Sequence, residues 1–228
     1  VNRQTLIPVS ADTESSFSSF HAGRNTELLA ELRCMVRGVR AKPVLFFWGE
    51  AGSGKTHLLN ACCQLALELG APHAYLPVDG ATPEHARLEQ IAPHALVCID
   101  DFQAAAASDS WQVALFGLYE KLHNHAGALV VASDRSVGAL NLGLKDLESR
   151  LVSGGVFRLA RLKEEDKRAA LKARARHKGF ELSDPVLQFI LTHFRRDTAS
   201  LFALLERIDN ASLAEQRKIT VPFIKSLL

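Results

Sequence analysis

The sequence predicts an α/β domain built on a parallel sheet, followed by a small all-helical domain. Three observations carry this. Over the first two thirds of the chain, short apolar runs without polar alternation are separated by segments of helical period, the pattern of strands covered on both faces and joined by crossover helices. From Lys163 onward only helical period remains. Between the first apolar run and the helix after it lies a glycine-rich segment with the spacing of a phosphate-binding loop.

In chain order, residues 1–22 are polar and without period and read as an extended arm. From Asn25 to Val39, Leu28, Leu29, Leu32, Met35, Val36 and Val39 recur at helical spacing. Val44–Trp48, Ala74–Val78, Ala95–Ile99 and Ala128–Ala132 are strand-sized. Helices are expected near 55–69, stopped by Gly70, near 83–91, with Pro83 at the first helical position, and near 111–125. Residues 23–160 thus form the α/β domain. Residues 161–228 form the helical one, with helices near 163–178, 184–194, 197–214 and 221–227 broken at Gly179, Ser183-Asp184-Pro185 and Thr220-Val221-Pro222.

The chain has 228 residues, 47% hydrophobic and 23% charged, the balance of an ordinary globular protein. Its net charge of +2 is too even for a chain that coats nucleic acid without specificity. The halves differ: residues 1–160 carry 13 basic against 16 acidic side chains, residues 161–228 carry 14 against 9. No apolar run approaches the ~18 residues of a membrane helix. The N-terminus shows no secretory signal, and Cys34, Cys62, Cys63 and Cys98 include no C-x-x-C pair. A cytoplasmic protein with buried, reduced thiols is expected, with no membrane partner. The histidines, including His123 and His125, have no metal-binding spacing.

Gly49-Glu50-Ala51-Gly52-Ser53-Gly54-Lys55-Thr56 matches G-x-x-x-x-G-K-[ST] at every fixed position, after a strand and opening a helix. The glycines let the loop curl so that successive N–H groups point at a phosphate. Gly49, Ala51, Gly52, Ser53, Gly54, Lys55, Thr56 and the adjoining His57 are the candidate nucleotide-binding residues, with Lys55 the cation for the terminal phosphates. Thr56 offers a hydroxyl to Mg²⁺. Leu96-Val97-Cys98-Ile99-Asp100-Asp101 is the companion strand: Asp100 orients the metal, and Asp101 positions or polarises a water. Leu129–Ala132 ends in Ser133-Asp134-Arg135, where Asp134 is a candidate sensor of the γ-phosphate. All three segments are expected at the carboxyl ends of the strands, where open α/β sheets bind ligands.

Together these motifs resemble the AAA+ ATPases of the DnaA replication-initiator branch. Phe17-Ser18-Ser19-Phe20-His21-Ala22-Gly23-Arg24-Asn25 is similar to the F-x-x-F-x-x-G-x-N segment before their ATPase core, Val131–Arg135 to their sensor-1 strand, and Leu147-Glu148-Ser149-Arg150-Leu151 to their arginine-finger segment. Trp111–Tyr119, Leu140–Leu144 and Arg217–Phe223 resemble the Hda subfamily, the regulatory inactivators of DnaA. The resemblance implies a five-stranded parallel AAA+ sheet with a helical lid, and adds Asn25 to the nucleotide-binding set. It implies a bound ADP or other nucleoside di- or triphosphate with Mg²⁺, and self-association. It also implies that Arg150 enters the nucleotide site of ATP-bound DnaA and promotes hydrolysis there. Within its own chain Arg150 has Glu148 and Asp146 as near acidic neighbours.

Gln4, Ile7, Pro8 and Val9 are similar to the hexapeptide by which that subfamily binds the polymerase sliding clamp; Thr5 stands where a leucine anchor is expected. Ala199 occupies the expected place of the lid's sensor-2 arginine, with Arg195 and Arg196 just upstream. Losing that cation implies weak or absent hydrolysis by this chain itself. The basic run Lys167–Lys178 reads either as a contact with DNA or with an acidic partner surface, or as the solvated face of a lid helix. Two other functions fit the same motifs: a cis-acting ATPase such as a helicase loader, and a non-catalytic origin adaptor.

Overall fold

The computed structural model describes residues 15–39, 42–78, 95–194, 198–215 and 217–227, and the single positions 83, 88 and 91. The strands are β1 (Val44–Trp48), β2 (His73–Pro77), β3 (Leu96–Asp100), β4 (Ala128–Ser133) and β5 (Gly155–Arg158), in spatial order β2-β3-β4-β1-β5 and all parallel. β4 therefore lies between β1 and β3, so the phosphate loop, the acidic pair and Ser133-Asp134 leave the sheet side by side. Four strands stand where the apolar runs predict them, within a residue or so. The fifth has no such run. It is an edge strand of four residues, alternately half-buried and exposed, and Gly154 before it backs directly onto the Val44 carbonyl and side chain, leaving no room for a Cβ.

Alternation within the buried strands divides the sheet between two cores. Val44, Phe46, Val97, Ile99, Leu129 and Val131 face α4 (Asp109–Asn124) and α5 (Lys145–Ser153). Leu45, Phe47, Leu96, Cys98, Val130 and Ala132 face α1 (Thr26–Val36) and α2 (Lys55–Glu68). Both faces are covered, which is why the strands read as continuous apolar runs. The helix expected near 111–125 begins earlier, where the Ser108 hydroxyl accepts from the Trp111 N–H at 3.4 Å. Short α3 (Gln103–Ala106) and a 3₁₀ turn at Val137–Leu140 are additional. The helix expected over 25–39 stops at Val36, before a left-handed Gly38. Of the helix expected near 83–91, Pro83, Leu88 and Ile91 are described: Leu88 and Ile91 are helical and buried, whereas Pro83, expected at the first helical position, is not helical.

The lid consists of α6 (Glu164–His177), α7 (Asp184–His193), α8 (Thr198–Glu215) and α9 (Val221–Ser226) around a third core that includes Leu171, Leu187, Ile190, Leu205, Ile208 and Phe223. Its helices match the expected ones closely, and Gly179 is left-handed at the α6–α7 break. Residues 15–22, read as part of an extended arm, instead form turns packed on the α/β domain. Phe17 is buried in the α1–α2 core because its ring fits there, under the Arg33 guanidinium at 5.0 Å. The four cysteines are unpaired; Cys62, Cys63 and Cys98 are buried, while Cys34 is only partly so. No helix among the described residues is long and apolar enough to cross a membrane.

Candidate functional site

The phosphate loop connects β1 to α2. Gly52 and Gly54 are both left-handed, with φ of 74° and 99°, and at Gly54 an added Cβ would also meet the Phe20 ring at 2.8 Å. Only glycine suits that position. The Gly49 N–H extends the sheet to the Ser133 carbonyl at 3.1 Å, placing the loop beside the end of β4. Lys55 Nζ donates to the Gly49 and Glu50 carbonyls at 2.8 and 3.2 Å, so the cation is held inside the curl. Ser53 Oγ is buried and has no hydrogen-bond partner. An orphaned hydroxyl in a curl of inward amides fits a polyphosphate.

Behind the loop, Asp100 at the end of β3 is 2% exposed. Its Oδ2 accepts from Thr56 Oγ1 at 2.6 Å and from Tyr75 Oη at 2.8 Å, and its Oδ1 accepts from the Asp101 N–H at 2.9 Å. The last bond is made possible by a left-handed Asp101, φ 53°, a conformation rare outside glycine and usual where function requires it. Burial, and then the Asp100 charge, push the Tyr75 phenol above its ordinary range, so Tyr75 serves as a neutral donor. The Thr56 hydroxyl beside a carboxylate fits a Mg²⁺ ion that takes most of its ligands from phosphate and water. The described residues hold no cluster of three or more His, Cys, Asp or Glu that could bind a metal by itself.

Gln103 ties the acidic strand to its neighbour. Its Nε2 donates to Asp101 Oδ1 at 2.9 Å, and its Oε1 accepts from the Asp134 N–H at 3.0 Å. Asp134 stands at the end of β4 as expected, but both its carboxylate oxygens are gripped by Arg135, at 2.7 and 2.8 Å. Hydrogen bonding from that guanidinium holds the carboxyl below the usual range. A carboxylate so neutralised is a poor direct sensor of phosphate, and Asp134 does not line the cavity.

That cavity, about 420 Å³, is floored by Ala51–His57 and Asp101 and roofed by Ser19, Phe20, His21, Ala160, Leu162 and Phe202. Its size suits a small-molecule ligand. His57 orients the roof: its ring lies 5.5 Å from that of Phe20, and its Nε2 donates to the Ser16 carbonyl at 3.0 Å. Asn25, expected to touch nucleotide, does not line the cavity. Its amide clasps the Ala160 backbone in both directions, donating to the carbonyl at 3.0 Å and accepting from the N–H at 2.8 Å. It therefore positions the wall, because both its polar groups are spent on Ala160. Arg161, next in the chain, grips the outside of the loop through Glu50 at 3.0 Å and the Ala51 carbonyl at 3.0 Å.

Arg150, on α5, is outside this cavity, with half its side chain exposed. Its acidic neighbour is neither Glu148 nor Asp146 but Glu120 of α4, at 3.5 Å, and its guanidinium lies 5.7 Å from the Tyr119 ring centre. Glu148 pairs with Lys145 instead. The basic run of α6 is largely neutralised within the lid: Lys167 by Glu164, Lys172 by Asp184, Arg174 by Glu206, and Lys178 by Glu206 and Asp209. Lys167, Arg174 and Lys178 are mostly buried in these pairs, so they offer neither a free DNA contact nor a solvated face. Gln4, Ile7, Pro8 and Val9, and likewise Arg195 and Arg196, lie outside the described residues. Ala199 falls in the first turn of α8.

Tyr75, Gln103, Arg161, Leu162 and Phe202 were not singled out by sequence. They belong to no motif of fixed spacing; only folding brings them to the loop.

Comparison with known proteins places this geometry. Residues 164–228 match the family model of the Hda lid domain. The fold is similar to that of domain III of the DnaA replication initiation protein from Thermotoga maritima, with a TM-score of 0.79 at 21% identity over 97% of this chain and 98% of that one. AMPPCP-bound DnaA from Aquifex aeolicus gives 0.67 at 22% identity over 80% and 59%. The Thermotoga maritima RuvB Holliday junction branch migration motor gives 0.64 at 20% identity over 98% and 72%.

Proposed function

Starting from an AAA+ protein related to Hda and DnaA, we propose that this chain is a nucleotide-bound regulator of replication initiation that stimulates hydrolysis of DnaA-bound ATP. The observation that carries the reading is Arg150: half-exposed, and not among the residues lining its own nucleotide cavity. A guanidinium so placed is free to serve another subunit's phosphate, where an arginine finger is worth ~10³–10⁵ in rate. To do so it leaves Glu120, a half-exposed pair of the kind worth about 0–1 kcal/mol. Release leaves Glu120 Oε1, which is buried and makes no hydrogen bond, without its counter-charge.

Within this chain the loop amides, Ser53 and Lys55 hold the phosphates, and Asp100 fixes Thr56 toward a Mg²⁺ ion. Phe20, Leu162 and Phe202 close over the remainder of the ligand and exclude water. The Mg²⁺, when bound, neutralises phosphate charge. The related Aquifex DnaA structure contains AMPPCP, which supports an adenine nucleotide here; ADP is the form we propose. Ala199 in place of a lid arginine, and Asp134 tied to Arg135, both favour retention of the nucleotide over turnover. Gln4, Ile7, Pro8 and Val9 would tether the protein to the sliding clamp, with self-association and DNA contact secondary.

The decisive experiment measures DnaA-bound ATP hydrolysis with this protein, with and without DNA-loaded clamp. Wild-type protein is expected to accelerate it, and Arg150→Ala to remove roughly 10³-fold or more of the acceleration without loss of clamp binding. An Ile7→Ala/Pro8→Ala variant is expected to lose the response to clamp. Undiminished stimulation by a folded Arg150→Ala protein would refute the finger.

A further inference from the structure

On the far side of Ala160 from the nucleotide cavity lies a second concavity of about 360 Å³, bounded by Arg24, Trp48, Glu50, Arg158, Ala160 and Arg161 among others. Its arginines come from separate places in the chain: the turn before α1, the end of β5, and the strap leading to the lid. The fold brings three arginines to the lining of one concavity with a single carboxylate, Glu50, and that carboxylate is taken by Arg161 at 3.0 Å. Arg24 and Arg158 have no acidic partner among the described residues. The Arg158 guanidinium lies 5.2 Å from the centre of the Trp48 ring, which holds it in place without neutralising it. Like charges gathered in a concavity focus a positive potential, and guanidinium groups match the oxygens of a phosphate in pairs. By contrast, Lys167, Lys172, Arg174 and Lys178 of the basic run in the lid are consumed in ion pairs.

We propose that this concavity is a second phosphate site, separate from the loop, in which Arg24 and Arg158 bind a phosphoryl group, Arg161 closes the side toward the loop and Trp48 forms an apolar wall beside it. The ligand class is a phosphorylated anion larger than inorganic phosphate: a free polyphosphate or nucleotide, or a phosphate of single-stranded nucleic acid. Arg161 also holds the Ala51 carbonyl of the phosphate loop, so the two sites share a side chain.

The test begins with the protein loaded with one equivalent of ADP and Mg²⁺ and freed of excess nucleotide, so that the loop alone is filled. Inorganic pyrophosphate is then titrated in by calorimetry, and a 12-nucleotide oligodeoxythymidine in a parallel arm. A further binding event, weakening as salt rises, is expected. An Arg24→Ala/Arg158→Ala variant should bind about tenfold or more weakly while taking up ADP as wild type does. Arg24→Glu, a change at an exposed position, gives the same reading without touching the packing on Trp48. Binding of both probes, each displacing the other, identifies the nucleic-acid source; binding of pyrophosphate alone identifies a free anion. The proposal is overturned if neither probe binds the ADP-loaded protein, or if both variants bind as tightly as wild type.

Discussion

Tyr75 shows how much a single side chain can contribute from outside any motif. Its hydroxyl donates to the same Asp100 oxygen that accepts from Thr56, so it fixes the carboxylate to which the Thr56 hydroxyl is anchored. A hydrogen bond to a buried charge is worth about 1.5–3 kcal/mol, and Tyr75→Phe should lower stability by an amount of that order, read by chemical denaturation. The pH dependence has a definite sign. Burial and the Asp100 charge raise the phenol in the folded protein above the 10.0 of a free tyrosine. Its contribution is therefore complete below pH 10 and is lost as pH climbs beyond that, because the unfolded chain ionises first. Wild-type protein should lose stability in this alkaline range more steeply than the Phe variant; parallel curves would remove Tyr75 from the account.

At the scale of elements, the loop between β1 and α2 depends on backbone shape more than on side chains. Gly54→Ala would place a Cβ at φ 99° and 2.8 Å from Phe20, a strain of order 1–3 kcal/mol. It should abolish the thermal stabilisation by ADP while leaving far-ultraviolet dichroism unchanged; an ADP response equal to wild type would show that the loop adapts. Most of this element, and the strands and helices around it, was legible beforehand. Buried runs such as Val44–Trp48 and Leu129–Ala132 announce themselves by composition, and the loop by spacing. β5 did not, because four alternating residues that begin with a second consecutive glycine carry neither signal. The partners of known residues were equally hidden. Arg150 meets Glu120 through packing of α5 on α4, thirty positions away in the chain, and Asn25 meets Ala160 across the whole domain. Local sequence points to the chemistry a residue offers; it does not say which neighbour claims it first.

In the whole molecule, two cores share the sheet and a third belongs to the lid, and the cavity at the loop takes Phe20 from beside the second and Phe202 from beside the third. Leu159 continues the sheet ladder to the Trp48 carbonyl at 2.7 Å, Ala160 is clasped by Asn25, and Arg161 holds the loop. The lid is thus attached where the ligand would lie, so filling the cavity bears on the pose of the lid as well as on the loop. The trio Cys62, Cys63 and Cys98 bears on the same arrangement. It sits between α2, which begins with Lys55 and Thr56, and β3, which ends with Asp100. Thiol–thiol hydrogen bonding and burial push the Cys63 and Cys98 thiols well above their ordinary range. Thiols of that kind are inert until exposed. Alkylation of native protein should accordingly proceed in two classes, with Cys34 early and the trio late, and ADP should delay only the late class by suppressing local opening. The seam beneath the phosphates thereby carries its own chemical reporter, and a delay of the late class would record, without any label or partner, that the ligand staples helix to strand.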